Sequence, residues 1–267
     1  MSGTILCIVS SNGTKLISTH LLSIVLVHGL GSSYDTTWAH KRDDGTRYHW
    51  IREKLPKDIP DARILGFEYP SRWYDDPVTT SLTECASQLL RSLIQDRCHI
   101  EGPGITRPII FVGHSFGGLV IKQAMVMASQ VLNSNSPRIK YENHRDILSA
   151  IAGVVFLGTP HRGSSFAALA GLKISLGSHL LRVQANDEII TILKPDSYVL
   201  DELQRTFAQL CSDERMRDLK LICYYEMRVV PYLRKLVVSQ SSASLDGAEC
   251  HGMNANHMDM NAFYEGD

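Results

Sequence analysis

The sequence predicts an α/β protein: a mostly parallel central sheet of about six to eight strands flanked by helices, with a helical insertion over one edge. Three observations carry this. Short apolar runs recur at residues 5–9, 23–28, 62–69, 108–113, 153–157, 219–225 and 236–239. Several are continuously apolar, as expected of parallel strands covered on both faces. Helical patterns lie between them, and alternation of this kind builds open parallel sheets.

Taken in order, the run at 5–9 lacks a basic leader and is too short for a secretory signal. The apolar segment 21–30 contains His28 and Gly29 and is far too short to span a bilayer. Residues 50–55 form a short helix. Residues 78–97 place Leu82, Ala86, Leu89, Leu90, Leu93 and Ile94 at helical spacing. Residues 116–132 are apolar almost all round, which predicts a buried helix. From about 162 to 217 there is no strand signal but helical patterns at 166–176, 187–193 and 197–210. That is long for a crossover. It reads as a helical cap inserted in a single domain spanning 1–267. An ordinary crossover helix with an extra surface helix is the alternative.

Composition narrows the functional classes. The 267 residues are 44% apolar with a net charge near −1, and the charges are scattered. No basic stripe points to nucleic acid or to an anionic membrane. Cys7, Cys85, Cys98, Cys211, Cys223 and Cys250 are spread without close pairs. They read as reduced thiols of a cytoplasmic protein, with no metal-site spacing.

The strand-like run at 109–113 stops at Gly113-His-Ser-Phe-Gly117, and a second apolar run begins at once. Strand, sharp turn and helix around G-x-S-x-G is the signature of a nucleophile elbow, with Ser115 at its apex. The pentapeptide alone is weak, since a serine in any tight strand-to-helix turn also fits; the flanking strand and helix raise its value. A serine hydroxyl needs a base, the base needs an orienting acid, and the developing oxyanion needs donors. In this layout the chain order is serine, acid, histidine. His251 and His257 follow the last expected strand. His257 is preferred, in a loop of small polar residues followed by a short helix at 258–263, and His251 is the alternative. Glu226 ends a strand, on the edge where open α/β sheets place their sites. Asp246 and Asp259 are the other candidate acids. The backbone N–H of Phe116, at a helix start, is one oxyanion donor. Leu30, in the glycine-rich loop after the strand at 23–28, supplies the other. His161 precedes Glu226, so its order is wrong for the base; packing or pocket lining suits it better. His28, Gly29, His114, Tyr69 and Trp73 are the candidate substrate contacts, although the His114 side chain should point away from Ser115.

Taken together, the segments at 24–31, 110–124 and 154–164 resemble α/β-hydrolases. More narrowly, they are similar to a fungal lipase-like group related to GPI inositol-deacylases and serine-active-site-containing proteins. Tyr224-Tyr225-Glu226, Ser242-Ala243 and Asn256-His257-Met258-Asp259-Met260 look like that group's closing motifs. The resemblance covers roughly 22–265 and leaves the first twenty residues unplaced. It implies an α/β-hydrolase fold and a serine hydrolase acting on esters or thioesters without cofactor or metal. The group's members often form the N-terminal domain of NTPase or ankyrin-repeat proteins, so this chain is either a stand-alone enzyme or one domain. Cap helices and an aromatic mouth favour a mainly apolar, lipid-like acyl substrate. Two other functions stay open: acyl transfer or ring closure in a biosynthetic pathway, and a non-catalytic signalling module on the same scaffold. A homodimer through the cap surface is also left open.

Overall fold

The computed structural model describes residues 3–9, 21–71, 81–100, 107–133, 147–164 and 191–264. Along these residues run β1 (Thr4–Val9), β2 (Leu22–Val27), α1 (Tyr34–Thr37), β3 (Ala39–Lys41), β4 (Arg47–His49), α2 (Trp50–Glu53), α3 (Leu55–Asp58) and β5 (Ala62–Glu68). There follow α4 (Leu82–Ile100), β6 (Ile109–His114), α5 (Phe116–Asn133), β7 (Ile151–Leu157), α6 (Tyr198–Cys211), β8 (Lys220–Glu226), α7 (Gln240–Ala243) and β9 (Glu249–Met253). Seven strands make one sheet in the order β1-β5-β2-β6-β7-β8-β9, and β3 and β4 form a separate ribbon. From β5 to β9 every pair is parallel, whereas β1 joins β5 antiparallel at the edge. The C-terminal ends of six strands therefore meet along one edge, and the site is built there.

Both faces of the sheet are covered, which is why its central strands are continuously apolar. In β2, Val25 and Val27 belong to the main core, which also takes in the apolar faces of α4, α5 and α6. Their neighbours Ile24 and Leu26 pack on the other face with Trp38, Ile51 and Met260. Residues two apart share a face, so a strand between two layers cannot alternate with polar residues. The described part of the expected insertion behaves as core: α6 buries Leu200, Leu203, Phe207 and Leu210. Expected helices at 166–176 and most of 187–193 lie outside the described residues.

Three expectations are corrected. Residues 236–239 are not a strand; Val237 and Val238 are buried in a small cluster with Val230 and Ala243, off the sheet. The last strand is β9, whose Glu-Cys-His-Gly-Met sequence is too polar and exposed to signal a strand. Residues 258–263 form turns rather than a helix, closed by bonds such as Met260 N–H to the Asn256 carbonyl at 3.1 Å.

Helix α5 carries an ionisable group into the core. Lys122 is fully buried. Its Nζ donates to Gln204 Oε1 of α6 at 2.7 Å and sits 3.5 Å from His161 Nδ1. It also lies 5.1 Å above the Phe207 ring. Loss of hydration pushes the ammonium down to about 7; Cys211 and Cys223 oppose this more weakly, and the Arg162 charge adds to it. In the unfolded chain Lys122 keeps its proton up to the ordinary 10.5. Between about 7 and 10.5 the unfolded state therefore holds more protons, so this group's contribution to stability rises with pH and is constant below 7. Lys122→Met removes that dependence. The stability of the variant relative to wild type, measured by urea unfolding, should fall from pH 7 to pH 10.5. A difference independent of pH would contradict the assignment.

Candidate active site

β6 ends at His114 and α5 begins at Phe116, so Ser115 alone reverses the chain. It does so at a φ of 53°, a left-handed conformation costing a non-glycine residue about 1–2 kcal/mol. Surrounding bonds hold it there. The Ser115 N–H donates to the Leu157 carbonyl at 2.8 Å, and its carbonyl accepts the Gly118 N–H at 3.1 Å. Gly117 allows the approach: a β-carbon there would overlap the Val27 and His28 carbonyls. The helix start is thus pressed against the end of β2, and Ser115 stays half-buried.

His257 comes from the turn after β9. Its Nε2 lies 3.0 Å from Ser115 Oγ, and its Nδ1 lies 3.2 Å from Glu226 Oε2. This second approach is slightly outside ideal hydrogen-bond geometry, which is common in unliganded sites. Glu226 is the last residue of β8 and is buried. Its other oxygen, Oε1, accepts the Val238 N–H at 2.9 Å. The apolar run at 236–239 thus delivers an amide to the carboxylate instead of joining a ladder. The imidazole rests on Gly158, whose φ is 56° and where a β-carbon would stand 3.0 Å from His257 Nδ1.

His114 fixes the backbone of the same turn. Its Nε2 lies 2.9 Å from the His257 carbonyl. A carbonyl only accepts, so Nε2 carries the proton. Burial pushes this imidazole down to about 3, helped by the neighbouring His257 and His28 and opposed by the bond to the His257 carbonyl. His114 is therefore a neutral donor at any pH where the protein works.

The loop after β2 reaches Ser115, since a β-carbon on Gly29 would stand 3.1 Å from Ser115 Cβ. Its conformation is fixed from behind. Tyr69 donates its hydroxyl to the His28 carbonyl at 2.8 Å, and its ring stacks on His28 at 4.4 Å. Gly31 N–H donates to the Ser71 carbonyl at 2.9 Å. The Gly29 carbonyl accepts from His28 Nδ1 at 2.9 Å and from Ser32 Oγ at 3.1 Å. In a planar trans peptide the next N–H points opposite to the carbonyl. Leu30 N–H is therefore aimed away from His28, and it has no acceptor among the described residues. Phe116 N–H, at the first position of α5, lies outside the intrahelical ladder.

Other candidates are placed elsewhere. His251 lies in β9, 53% exposed beside Glu249. Asp246 is 93% exposed, 3.5 Å from Arg162, and Asp259 accepts from Asn256 at 2.5 Å. His161 is buried against Phe156, between Lys122 and Cys223. His28, Tyr69 and His114 were expected to touch substrate. All three are buried, and the Tyr69 hydroxyl, His28 Nδ1 and His114 Nε2 each meet a backbone carbonyl, while His28 Nε2 lies 3.5 Å from Glu68 Oε1. Trp73 lies outside the described residues. Gly158 and Val238 were not expected: the first lies in the 154–164 segment that carries the family resemblance, and the second only in the apolar run at 236–239. A cavity of about 470 Å³ lies at the opposite sheet edge, among Gln204, Phe207, Cys211, Leu219, Leu221 and Leu245, and shares no residue with this site. No group of His, Cys, Asp and Glu that could hold a metal occurs among the described residues.

A parallel sheet with an elbow serine at a strand end defines a class, and the sequence agrees: residues 24–247 match the Alpha/beta hydrolase family. The chain belongs to that family. Among curated proteins it is similar to Protein SERAC1 of Bos taurus, 24% identical over 254 residues, and to that of Danio rerio, 26% identical over 257. These alignments cover 89% of this chain but 35% of each relative, so the chain spans about a third of their length. Among solved structures, the mature lipase BlEst2 of Bacillus licheniformis superposes with a TM-score of 0.62 at 17% identity, over 96% of this chain and 92% of that one. Phospholipase PlaB from Legionella pneumophila gives 0.56 at 14% identity, over 84% and 45%. Both share the fold.

Three substitutions at two positions test the positioning groups. His114→Leu should slow covalent labelling of Ser115 by a fluorophosphonate about 100-fold, the scale of a 1 Å misplacement. His114→Gln, which keeps a donor near Nε2, should recover most of that rate. Gly158→Ala should be at least as damaging, because it strains the backbone and displaces the ring. Unchanged labelling in His114→Leu would remove the role assigned to the buried imidazole.

Proposed function

We propose that the protein is a serine hydrolase that cleaves carboxylic esters or thioesters of mainly apolar acyl substrates. The observation that carries this reading is the 3.0 Å approach of His257 Nε2 to Ser115 Oγ, with Glu226 behind the ring. A hydroxyl so placed can lose its proton as it attacks.

Ser115 Oγ adds to the acyl carbon while His257 Nε2 takes the hydroxyl proton. Glu226 holds the Nδ1 proton and stabilises the imidazolium. Negative charge gathers on the substrate oxygen, which the N–H groups of Leu30 and Phe116 receive; one such donor contributes roughly 3 kcal/mol in the transition state. The imidazolium then protonates the leaving alcohol or thiol, and the acyl group remains on Ser115. Water, deprotonated by the same imidazole, releases the acid and restores the serine. No cofactor or metal enters the scheme. Of the insertion at about 162–217, the part outside α6 is proposed as the cap that supplies apolar surface to the acyl chain, since α6 itself is core.

Fluorophosphonate should label wild type and miss Ser115→Ala. His257→Ala should lower turnover of a short aryl ester by several orders of magnitude. Glu226→Gln should lower it roughly 10⁴-fold, the scale seen when the orienting acid loses its charge, whereas Asp246→Asn should leave it unchanged. Near-normal turnover in His257→Ala would end this reading. A folded wild type that is never labelled would favour a non-catalytic module.

A further inference from the structure

The edge of the sheet that carries Ser115 also carries an excursion the chemistry leaves unused. The chain leaves β8 directly after Glu226 and returns to the sheet at β9. Its first two amides, Met227 and Arg228, donate to the Met253 and Ala255 carbonyls at 3.0 and 3.1 Å. The base of the excursion is thereby fastened to the segment leading to His257. Val230 and Lys235 then pair antiparallel and close a small loop. β8 stands two strands from β6, which sets this loop about 10 Å from the nucleophile strand.

The outside of the loop is unusual. Met227, Val229 and Tyr232 are 61%, 47% and 54% exposed. Arg228, Arg234 and Lys235 lie among them and are exposed as well. No carboxylate occurs from residue 227 to residue 245, in a chain whose net charge is −1. Toward the opposite sheet edge the acids are matched by cations: Asp213 lies beside Arg215, Glu214 and Asp218 beside Arg217, and Asp246 beside Arg162. Arg228, Arg234 and Lys235 have no such carboxylate among the described residues, so they form a local cationic patch.

Clustered apolar side chains in water mark a surface that something covers. Here they are interleaved with cations within nine residues, 227–235. That is too little to make the roughly 800 Å² per partner of a stable protein interface. It does fit a bilayer, which accepts apolar anchors without shape complementarity and places phosphates at the level of the cations.

We propose that residues 227–235 dock the protein on an anionic phospholipid surface, with Met227, Val229 and Tyr232 entering the headgroup boundary and Arg228, Arg234 and Lys235 meeting phosphates. This deepens the ester-hydrolase reading and rests on it for its purpose: docking there brings a lipid-borne ester to Ser115.

The test uses Ser115→Ala protein, so that no lipid is consumed, and phosphatidylcholine vesicles with or without phosphatidylserine. The protein should float with the anionic vesicles, and binding should weaken at high salt, where screening shortens to about 3 Å. Each surface cation contributes roughly fivefold to partition, so Arg234→Asn/Lys235→Gln should lower it at least tenfold. Val229→Ser/Tyr232→Ser should do the same. Both pairs, in the background with Ser115 intact, should hydrolyse a dissolved short-chain ester at the parent rate. The proposal fails if the protein ignores anionic vesicles, or if both pairs bind them as well as the parent. It fails equally if Val229→Ser/Tyr232→Ser abolishes self-association in a protein that binds no vesicle, which would assign the surface to a second copy. Vesicle binding without fluorophosphonate labelling of wild type would sink the hydrolase reading and leave the docking surface standing.

Discussion

A hydroxyl and an imidazole separated by 142 residues meet at 3.0 Å, and the rest of the site is arranged around that contact. Neither group makes the meeting possible. What does is the parallel register of β6, β7, β8 and β9, which ends four strands on one edge. Ser115 leaves the end of β6, Gly158 the end of β7, Glu226 the end of β8, and His257 follows the end of β9. A slip of one residue in any pairing would turn that strand's alternate side chains to the wrong face. Along β6 and β7, where both faces are covered, the core forbids such a slip. The entropic cost of closing so long a loop grows only slowly with its length, so the distance along the chain is a small obstacle once the sheet has formed.

Around the contact, the polar side chains that are buried are committed mostly to backbone. His114 holds the His257 carbonyl, Tyr69 the His28 carbonyl, His28 the Gly29 carbonyl, and Glu226 takes the Val238 N–H. Each bond satisfies a group that would be costly to bury alone. Each also removes a freedom from one of the loops around Ser115. For the hydrolase proposed above this is preorganisation, since the groups around Ser115 are set in advance and little reorganisation need accompany a reaction. Lys122 shows the contrast. Its nitrogen is also satisfied, by Gln204, yet the burden of burial falls on its charge and shows as a depressed proton affinity.

Much of this was legible in the sequence because the signals were local. The elbow is five residues long, the buried helix after it is apolar on every face, and a carboxylate at a strand end can be read without knowing the neighbours. What escaped was non-local. β9 is an edge strand made of Glu249, Cys250, His251, Gly252 and Met253, and only its pairing with β8 makes it a strand. Residues 236–239 carry the opposite error: their valines are buried as expected, but the amide of Val238 serves a side chain. The β3–β4 ribbon had a local signal, the Asp44-Gly45 turn between its two arms, and its strands were too short to register beside it. His28 and His114 were assigned to the substrate by their place in the loop and the elbow, and Tyr69 by its aromatic, loop-like segment. All three are buried, which no pattern reveals.

The excursion after Glu226 combines both kinds of constraint in one segment. Its inner residues Val230, Val237, Val238 and Ala243 pack together, and through Val238 they hold the carboxylate. Ser164 extends that hold by bonding its hydroxyl to the Val237 carbonyl, while Ser242 Oγ donates to the Gly163 carbonyl at 2.6 Å. The segment is thus fixed from within by the chain after β7. Its outer residues contribute nothing to that packing. An outer face can therefore carry exposed apolar and cationic side chains without disturbing the acid beneath, because the geometry of Glu226 is set by amides and buried valines. Rigidity inside and freedom outside are what let one loop hold the Glu226 carboxylate on one side and present cations and apolar side chains on the other.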